Sequence, residues 1–201
     1  MIFLEALTHP GWIIEYLSHR GAPAVENWRP YAGANADVKG VIALFDRQTP
    51  ASAQTWRALE TYRRLWPRPL IIKGLLHPQD AVQAADLGVD GIVVSNHGGR
   101  QFDRAPSPLE VFPAIKSAVG DRVILMLDSG VRRGADIVVA LCLGAQFVFV
   151  GRAAVYGVAA GGKAGARRVI DILHDEIDLA LAQIGCPDVT RLGPEFLLEA
   201  P

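Results

Sequence analysis

Four short apolar runs between residues 70 and 150 constrain the fold of this 201-residue chain more than any other feature. The runs are rich in branched and aromatic side chains, and they occupy residues 70–72, 91–94, 123–127 and 147–150. Runs of this kind are typical of strands that are buried on both faces of a parallel sheet. Segments with helical periodicity separate them, so the sequence predicts an α/β fold of successive strand–helix units.

Turn residues mark the ends of the predicted helices. These helices cover residues 78–87, 108–119 and 134–143, and Gly88, Gly120 and Gly144 follow them as C-terminal caps. Pro78 occupies the first position of its helix, where proline is favoured. We expect His77, which precedes it, to cap the same helix.

One pattern occurs twice, at residues 87–94 and again at residues 143–150, with an offset of 56 residues. One predicted strand lies between the two copies, which leaves about 28 residues for each strand–helix unit, as in βαβ arrangements. Units of this size fit a closed barrel, and an open doubly wound sheet is the alternative.

The sequence before residue 67 has a different character. Residues 18–54 contain several glycines and prolines with little periodicity, which predicts a long excursion with short helices. Residues 55–66 predict a helix with one apolar face, formed by Trp56, Leu59, Tyr62, Leu65 and Trp66. We therefore divide the chain into residues 1–66, with a helix and a long excursion, and residues 67–201, with the strand–helix units.

Residues 12–17 predict a short amphipathic helix, with His19 and Arg20 directly behind it. Such a helix can lie on a membrane surface, but packing against its own domain is the favoured interpretation. The longest apolar stretch, residues 137–151, is shorter than the roughly 20 residues that a membrane-spanning helix requires. The sequence therefore predicts a soluble protein.

Charge and cysteine content argue against several classes of protein. The 20 Lys and Arg against 21 Asp and Glu give a net charge of −1, whereas proteins that coat nucleic acid carry a basic excess. Two cysteines cannot form a disulfide framework, so a reducing compartment is expected. The chain also lacks the Cys and His spacing of a zinc site. We expect no nucleic-acid partner and no metal.

Polar or glycine-rich residues follow every predicted strand. Lys73 and Gly74 follow the first strand, and residues 95–103, 128–134 and 151–152 follow the others. The carboxyl ends of parallel strands meet on one side of a barrel, and barrel enzymes have their active sites there. We therefore expect a single site at this edge of the sheet.

Two residues after the second strand suit proton abstraction from an acid substrate. Flanking glycines leave the imidazole of His97 free to act as a base, and Arg100 can present a planar fork to a carboxylate. Lys73 could stabilise an anion beside them. The alternative is structural, with His97 as a turn residue and Lys73 as a solvated lysine.

Glycines and arginines after the last two strands predict an anion site. Gly130 and Gly151 expose backbone N–H groups beside a helix N-terminus, where phosphate binds readily. Arg132 and Arg152 would add charge-assisted hydrogen bonds. Helix-start glycines with surface arginines are the alternative. The chain has no GxGxxG after a strand, so a Rossmann dinucleotide site lacks its signature.

Residues 95–103, which read SNHGGRQFD, resemble the signature of the FMN-dependent 2-hydroxy acid dehydrogenases and oxidases, a family that includes lactate dehydrogenase, mandelate dehydrogenase and glycolate oxidase. Residues 72–74, 128–134 and 150–152 match the other motifs of the family, in order and at suitable spacing. The similarity covers essentially the whole chain and is strongest from Pro69 to about Ala182. Ser129 stands where many members have glycine, and Phe102 where leucine is common.

The resemblance implies a TIM (β/α)8 barrel, to which this chain supplies about the last four βα units plus the preceding long loop region. In the family, the first four strands carry further flavin contacts and residues that touch substrate, and residues 1–66 do not match them. Half a barrel leaves two open sheet edges that must be covered or paired. We therefore do not expect the half-barrel by itself to be a stable monomer.

The resemblance also assigns roles to individual residues. His97 would remove a proton from the 2-hydroxy acid, Arg100 would bind its carboxylate, and Lys73 would stabilise the reduced flavin ring. The residues expected to contact FMN are Lys73, Ser95, His97, Arg100, Asp128, Ser129, Gly130, Val131, Arg132, Gly151 and Arg152. Within this set, the ribityl phosphate would be held by Asp128, Ser129, Gly130, Arg132, Gly151 and Arg152.

The implied activity is FMN-dependent oxidation of a small (S)-2-hydroxy acid to the 2-oxo acid, with electrons passing to a quinone, a cytochrome or oxygen. Relatives commonly form tetramers, so a homo-oligomer is expected. Some members contact the membrane through the segment that residues 12–14 match, which implies a cytoplasmic location at the inner face of the cytoplasmic membrane. The alternatives are a truncated, non-catalytic half-barrel that needs a chain with the other half, and a different phosphate-binding barrel, which residues 95–101 disfavour.

Overall fold

The computed structural model of this chain describes residues 7–18, 26–33, 36–48 and 54–198. The chain divides into two units, Met1–Thr55 and Trp56–Pro201. The boundary lies between Thr55 and Trp56, at the start of the helix predicted at residues 55–66. The predicted features at residues 19–25 and 49–53, including His19 and Arg20, lie outside the described residues.

The first unit contains helices. They are α1 (Pro10–Ser18), α2 (Arg29–Ala32), which follows a 3-10 turn at Glu26–Trp28, and α3 (Val38–Gln48). In α1, Trp12, Ile14 and Leu17 are 55%, 69% and 66% exposed, and the helix contains no buried residue. Within the described residues nothing buries this helix, so its packing against its own domain stays a prediction. Among the described residues, no helix has both the length and the apolar character needed to cross a membrane.

The second unit alternates helices and parallel strands, as predicted. Its elements are α4 (Trp56–Leu65), β1 (Ile71–Leu75), α5 (Pro78–Asp86), β2 (Gly91–Val94), α6 (Pro108–Val119), β3 (Ile124–Leu127), α7 (Gly134–Cys142), β4 (Phe147–Val148) and α8 (Arg152–Ile184), with 3-10 turns at His97–Gly99, Val189–Arg191 and Pro194–Phe196. The strands form one sheet in the order β1-β2-β3-β4, and each neighbouring pair is parallel.

Local capping explains where these helices begin. His77 caps α5, because its Nδ1 accepts a hydrogen bond of 3.3 Å from the backbone N–H of Gln79, which confirms the prediction. Helix α6 begins with a capping box, in which the backbone N–H of Ser107 donates to Glu110 Oε2 over 2.9 Å. The glycines predicted to end the helices adopt positive φ values, 79° at Gly88 and 95° at Gly144.

One face of the sheet packs against helices, and the other is exposed in part. Ile92 and Leu125 lie on the packed face, together with Phe112 of α6, and all three are fully buried. Side chains of the opposite face, Ile71, Ile124 and Phe147, are between 49% and 55% exposed. Burial on both faces is therefore wrong for β1, for β4 and for the first residue of β3, although Val93 and Met126 on this same face are buried. Strand β2 is buried throughout, as predicted.

The outer strands and α4 also differ from the predictions. Lys73 and Gly74 lie inside β1, not after it, because the strand continues through a bulge between Lys73 and Leu75. Strand β4 pairs over two residues only, although the predicted run has four. The helix predicted at residues 55–66 is confirmed as α4, but Leu59 is its one buried side chain.

Glycines permit close packing around α8. The helix is interrupted at Gly161 and Gly162, where φ is −158° and 54°. Gly157 precedes this kink and Gly165 follows it, and a side chain at Gly165 would overlap the carbonyl oxygen of Gly157. A side chain at Gly134, the first residue of α7, would lie 2.6 Å from the backbone nitrogen of Ile177. The contact at Gly134 brings α7 and α8 together, and the contact between Gly157 and Gly165 lets α8 fold back on itself at the kink.

Candidate active site

A cavity of about 280 Å³ lies at the C-terminal ends of the strands, where the sequence predicts the site. It is lined by Lys73, His97, Gly98, Arg100, Asp128, Ser129, Gly130, Val131, Arg132, Phe149, Gly151, Arg152 and Val155. Every residue predicted to contact the cofactor is in this lining except Ser95, which is buried. The structure therefore brings the four motifs together in one cavity.

The loop after β2 holds His97 in an unusual backbone conformation. Asn96 Oδ1 accepts hydrogen bonds from the backbone N–H groups of Gly98 (2.9 Å) and Gly99 (3.2 Å), which forms a tight turn. The φ of His97 is 55°, in the left-handed region that residues other than glycine seldom adopt. The turn therefore directs His97 toward the cavity through a conformation that its neighbours must stabilise.

Gly74 provides the space that the imidazole of His97 occupies. A Cβ atom at Gly74 would lie 2.9 Å from His97 Cε1, and the φ of Gly74 is 102°. Both the contact and the backbone conformation require glycine here. This role was not predicted, although an isolated glycine in a strand is itself a signal for a bulge or a close approach.

Lys73 and Asp128 form an ion pair in the wall of the cavity. Lys73 Nζ lies 2.9 Å from Asp128 Oδ2 and donates a hydrogen bond of 2.8 Å to Ser95 Oγ. Burial by itself would raise the pKa of Asp128, but hydrogen bonds from Lys73, Ser95 and Ser129 outweigh it and lower the pKa. The carboxylate is thus ionised at neutral pH, and the amine of Lys73 points at the cavity from a fixed position.

Arg100 is available to bind an anion. Its side chain is exposed at the rim of the cavity, three residues after His97. Among the described residues, no hydrogen bond or ion pair engages its guanidinium group. A planar cation without a partner, next to an imidazole, suits a substrate that has a carboxylate beside the group to be deprotonated.

The N-terminus of α8 is the better of two candidate anion sites. At the start of α7, Asp136 Oδ2 already accepts hydrogen bonds from the backbone N–H groups of Arg132 (2.8 Å) and Arg133 (2.9 Å). Helix α8 begins after Gly151 without any side-chain cap. Its first N–H groups therefore keep their capacity to bind an anion.

Two arginines lie beside the N-terminus of α8. Arg152 Nη2 donates a hydrogen bond of 3.0 Å to the carbonyl oxygen of Gly98. The guanidinium of Arg132 lies 5.6 Å from the ring centre of Tyr156, a cation–π contact between residues 24 positions apart that the sequence does not predict. Side chains at Gly130 and Gly151 would meet no atom within 4 Å, so the backbone borders open space at both positions.

Comparison with protein families gives a match that covers nearly the whole chain. A family model described as FMN-dependent dehydrogenase matches residues 1–199. The curated relatives include the (S)-mandelate dehydrogenase of Pseudomonas putida, 44% identical over 196 residues, which are 98% of this chain and 48% of that protein. The L-lactate dehydrogenase of Caulobacter vibrioides is 47% identical over 197 residues, 98% of this chain and 51% of that protein.

The curated relatives also include an enzyme that is named neither a mandelate nor a lactate dehydrogenase. The pre-mycofactocin synthase of Mycobacterium tuberculosis is 38% identical over 195 residues, which are 96% of this chain and 49% of that protein. The chain spans about half the length of the curated relatives that it matches. Its four parallel βα units accordingly correspond to about half of a TIM barrel.

A solved structure supports the same assignment of fold. The crystal structure of the monotopic membrane protein (S)-mandelate dehydrogenase matches with a TM-score of 0.90 and 42% identity. The match covers 98% of this chain and 52% of that chain. Both units of this chain thus have counterparts in one known protein.

Proposed function

Because this chain belongs to the family of FMN-dependent dehydrogenases, we propose that it forms the half of such an enzyme that carries the base, the substrate clamp and the flavin phosphate site. The proposed reaction is oxidation of a small (S)-2-hydroxy acid, of the lactate or mandelate type, to the 2-oxo acid. The observation that supports the proposal is that His97, Arg100 and Lys73 line one cavity, which the uncapped N-terminus of α8 also lines.

The residues of the cavity fit FMN on two counts. Its lining has four cations, Lys73, Arg100, Arg132 and Arg152, against one carboxylate, Asp128, which suits an anionic cofactor and an anionic substrate. The open space at Gly130 and Gly151 lets a phosphate approach backbone N–H groups directly. When bound, FMN supplies the acceptor for the hydride equivalent that leaves the substrate.

In the proposed mechanism, His97 and Arg100 act on the substrate together. Arg100 binds the carboxylate and thereby fixes the adjacent hydroxyl-bearing carbon. His97 accepts the proton that the substrate loses as its alcohol becomes a carbonyl. The two residues are three positions apart on one turn, so a 2-hydroxy acid, whose hydroxyl adjoins its carboxylate, is the class of substrate that they can engage simultaneously.

Lys73 is proposed to stabilise negative charge on the flavin side of the cavity. Its ammonium group is held by Asp128 Oδ2 and Ser95 Oγ, which fixes its position without filling all three of its N–H donors. The remaining donor is available to an anionic ring system. Ser95, Ser129 and Val131 complete the proposed FMN contacts, with Ser95 acting through Lys73 and the loop after β2.

The proposal is tested by the colour of the purified protein and its response to substrate. We expect flavin absorption in the visible range, bleached under anaerobic conditions by (S)-lactate or (S)-mandelate and unaffected by the (R) enantiomers. Re-oxidation by oxygen, a quinone or a cytochrome then identifies the electron acceptor. A preparation that stays colourless with added FMN and inert with both acids would contradict the proposed activity of this chain.

A colourless and inert preparation would favour a second candidate function, that of a half-barrel that requires further strands. The exposed apolar face formed by Ile71, Ile124 and Phe147 supports this second candidate function, because soluble proteins seldom leave such a face uncovered. Strands from the same polypeptide or from another chain would cover it. Recovery of flavin binding after a complementary half-barrel is added would then assign this chain a role as an assembly partner.

We further propose that α1 contacts a membrane surface at the inner face of the cytoplasmic membrane. Trp12, Ile14 and Leu17 form an exposed apolar group on this short helix, and the similar (S)-mandelate dehydrogenase is a monotopic membrane protein. Apolar side chains at an interface bind by removing their surface from water. A homo-oligomer would add to this attachment by presenting several copies of α1.

Removal of two of these side chains is expected to weaken membrane binding. In co-sedimentation with vesicles of phosphatidylglycerol and phosphatidylethanolamine, the Trp12→Ser/Leu17→Ser variant should bind at least about tenfold more weakly, because burial of each side chain contributes about 1.5–3 kcal/mol. The Leu65→Ser variant, which alters a comparably exposed leucine in α4, should bind like the parent protein. Equal binding by all three proteins would exclude α1 as the contact.

A further inference from the structure

We propose that Ser129 is a positioning residue that holds His97 in place through the peptide of Gly98. The inference rests on the proposed role of His97 as the base. It assigns to Ser129 a function other than binding the cofactor, and it connects the loop after β3 to the loop after β2. The hydroxyl group carries this function, so a glycine at the same position could not perform it.

The peptide groups on both sides of Gly98 are held from neighbouring loops. The backbone N–H of Gly98 is shared between Asn96 Oδ1 of its own loop (2.9 Å) and Ser129 Oγ of the loop after β3 (3.0 Å), and only the second bond joins the two loops. The carbonyl oxygen of Gly98 accepts a hydrogen bond of 3.0 Å from Arg152 Nη2. Because the N–H bond anchors the peptide that joins His97 to Gly98, the hydroxyl of Ser129 acts directly on the backbone of the proposed base.

The direction of the hydrogen bonds at Ser129 is determined by its partners. A hydroxyl has one proton, and Ser129 Oγ donates it to Asp128 Oδ1 over 2.9 Å. Its lone pairs are then free to accept from Gly98. Ser95 Oγ has a parallel arrangement on the preceding peptide, since it accepts a hydrogen bond of 3.1 Å from the backbone N–H of His97. Two successive N–H groups of the base loop are thus bound by serine hydroxyls beside one carboxylate.

Backbone conformation supports a specific role for the side chain of Ser129. Its φ is 75°, a region where an L side chain is disfavoured and glycine is not. A serine in this conformation must be stabilised by its contacts, and the contacts here are the hydrogen bonds to Asp128 and Gly98. His97 also has a positive φ, of 55°, so two disfavoured residues are bound to each other through Gly98.

The test compares Ser129→Ala and Ser129→Gly. Both variants lose the hydroxyl. The glycine variant also adopts the positive φ without steric cost, so it can be measured even if the alanine variant folds poorly. In both, we expect faster hydrogen exchange at the Gly98 amide and loss of a single sharp NMR signal from the His97 ring. The rate of substrate-dependent flavin reduction should fall about tenfold, in kcat more than in KM, as expected for one lost hydrogen bond.

Two controls separate this inference from the proposed function. The Ser117→Ala variant alters an exposed serine of α6 and should match the parent protein in every measurement. The Thr190 amide, which also donates to a side-chain oxygen (Asp188 Oδ1, 2.9 Å), should exchange at the same rate in all variants. If the Gly98 amide and the His97 ring are unchanged in both Ser129 variants, the inference is wrong, even where the parent protein reduces its flavin. If the Gly98 amide and the His97 ring change in the Ser129 variants but the parent protein does not reduce its flavin, the proposed function fails and the positioning role stands.

Discussion

Replacement of His97 by alanine is expected to lower the rate of flavin reduction by about 10²- to 10⁴-fold, the usual contribution of a general base. FMN binding should be mostly retained, because backbone N–H groups and not the imidazole hold the loop after β2. The His97 N–H donates to Ser95 Oγ, and the Gly98 N–H donates to Asn96 Oδ1 and Ser129 Oγ. The measurement is the anaerobic loss of flavin absorbance after rapid mixing with substrate.

Two further variants make this result specific to the base. His97→Asn removes the imidazole but tolerates the φ of 55°, so it should show the same loss of rate with a more stable fold. His77→Ala removes a histidine whose role is to cap α5, away from the cavity, and it should reduce its flavin at the parent rate. Unchanged reduction kinetics in His97→Ala would refute the assignment of His97 as the base.

Substitution of Gly74 by alanine is expected to lower flavin reduction about 100-fold, the scale of the loss when a catalytic group is displaced by about 1 Å. The new Cβ would lie 2.9 Å from His97 Cε1, which is too close for two carbon atoms. Because that atom is at the end of a side chain, the imidazole would move and the strand would not. The loss should therefore appear in the reaction rate, with the sheet intact by circular dichroism.

The Gly144→Ala variant is the matched control for the backbone conformation. Gly144 has a φ of 95°, close to the 102° of Gly74, and a Cβ there would be 3.5 Å from the nearest atom, Lys116 Cε. Both variants should lose similar stability from the disfavoured φ, about 1 kcal/mol or more. Only Gly74→Ala should also reduce its flavin more slowly than the parent protein. Equal reduction rates in the two variants would show that the contact between Gly74 and His97 has no role in catalysis.

Much of the fold could be predicted because its signals are local. Strands β2 and β3 are apolar runs bounded by turn residues, and α6 begins and ends at the predicted residues, Pro108 and Val119. The predictions were less accurate at the edges of the sheet, where β4 has only two paired residues and β1 continues through Lys73 and Gly74. Pairing with a neighbouring strand decides where a strand ends, and apolar content does not report that pairing.

The residues that line the candidate site could also be predicted from the sequence, because parallel strands bring their C-terminal ends to one edge. The roles of these residues were harder to predict. Asp128 was predicted to contact phosphate, yet its contacts within the described residues are with Lys73, Ser95 and Ser129. Whether it also contacts a bound cofactor stays a prediction. The exposed face of Ile71, Ile124 and Phe147 could not be read from residue types, because the same apolar residues would be buried in a closed barrel.

The sequence by itself determined the order of the βα units, the ends of most helices and the set of residues that gather at the C-terminal edge of the sheet. These properties follow from periodicity and turn chemistry over a few neighbouring residues. Only the tertiary structure decided that Gly74 makes room for His97, that Lys73 pairs with Asp128, and that Ser129 binds the Gly98 peptide. Each of these contacts joins loops from different strands, so it depends on the register of the sheet and on backbone conformations with positive φ, which residue spacing does not specify.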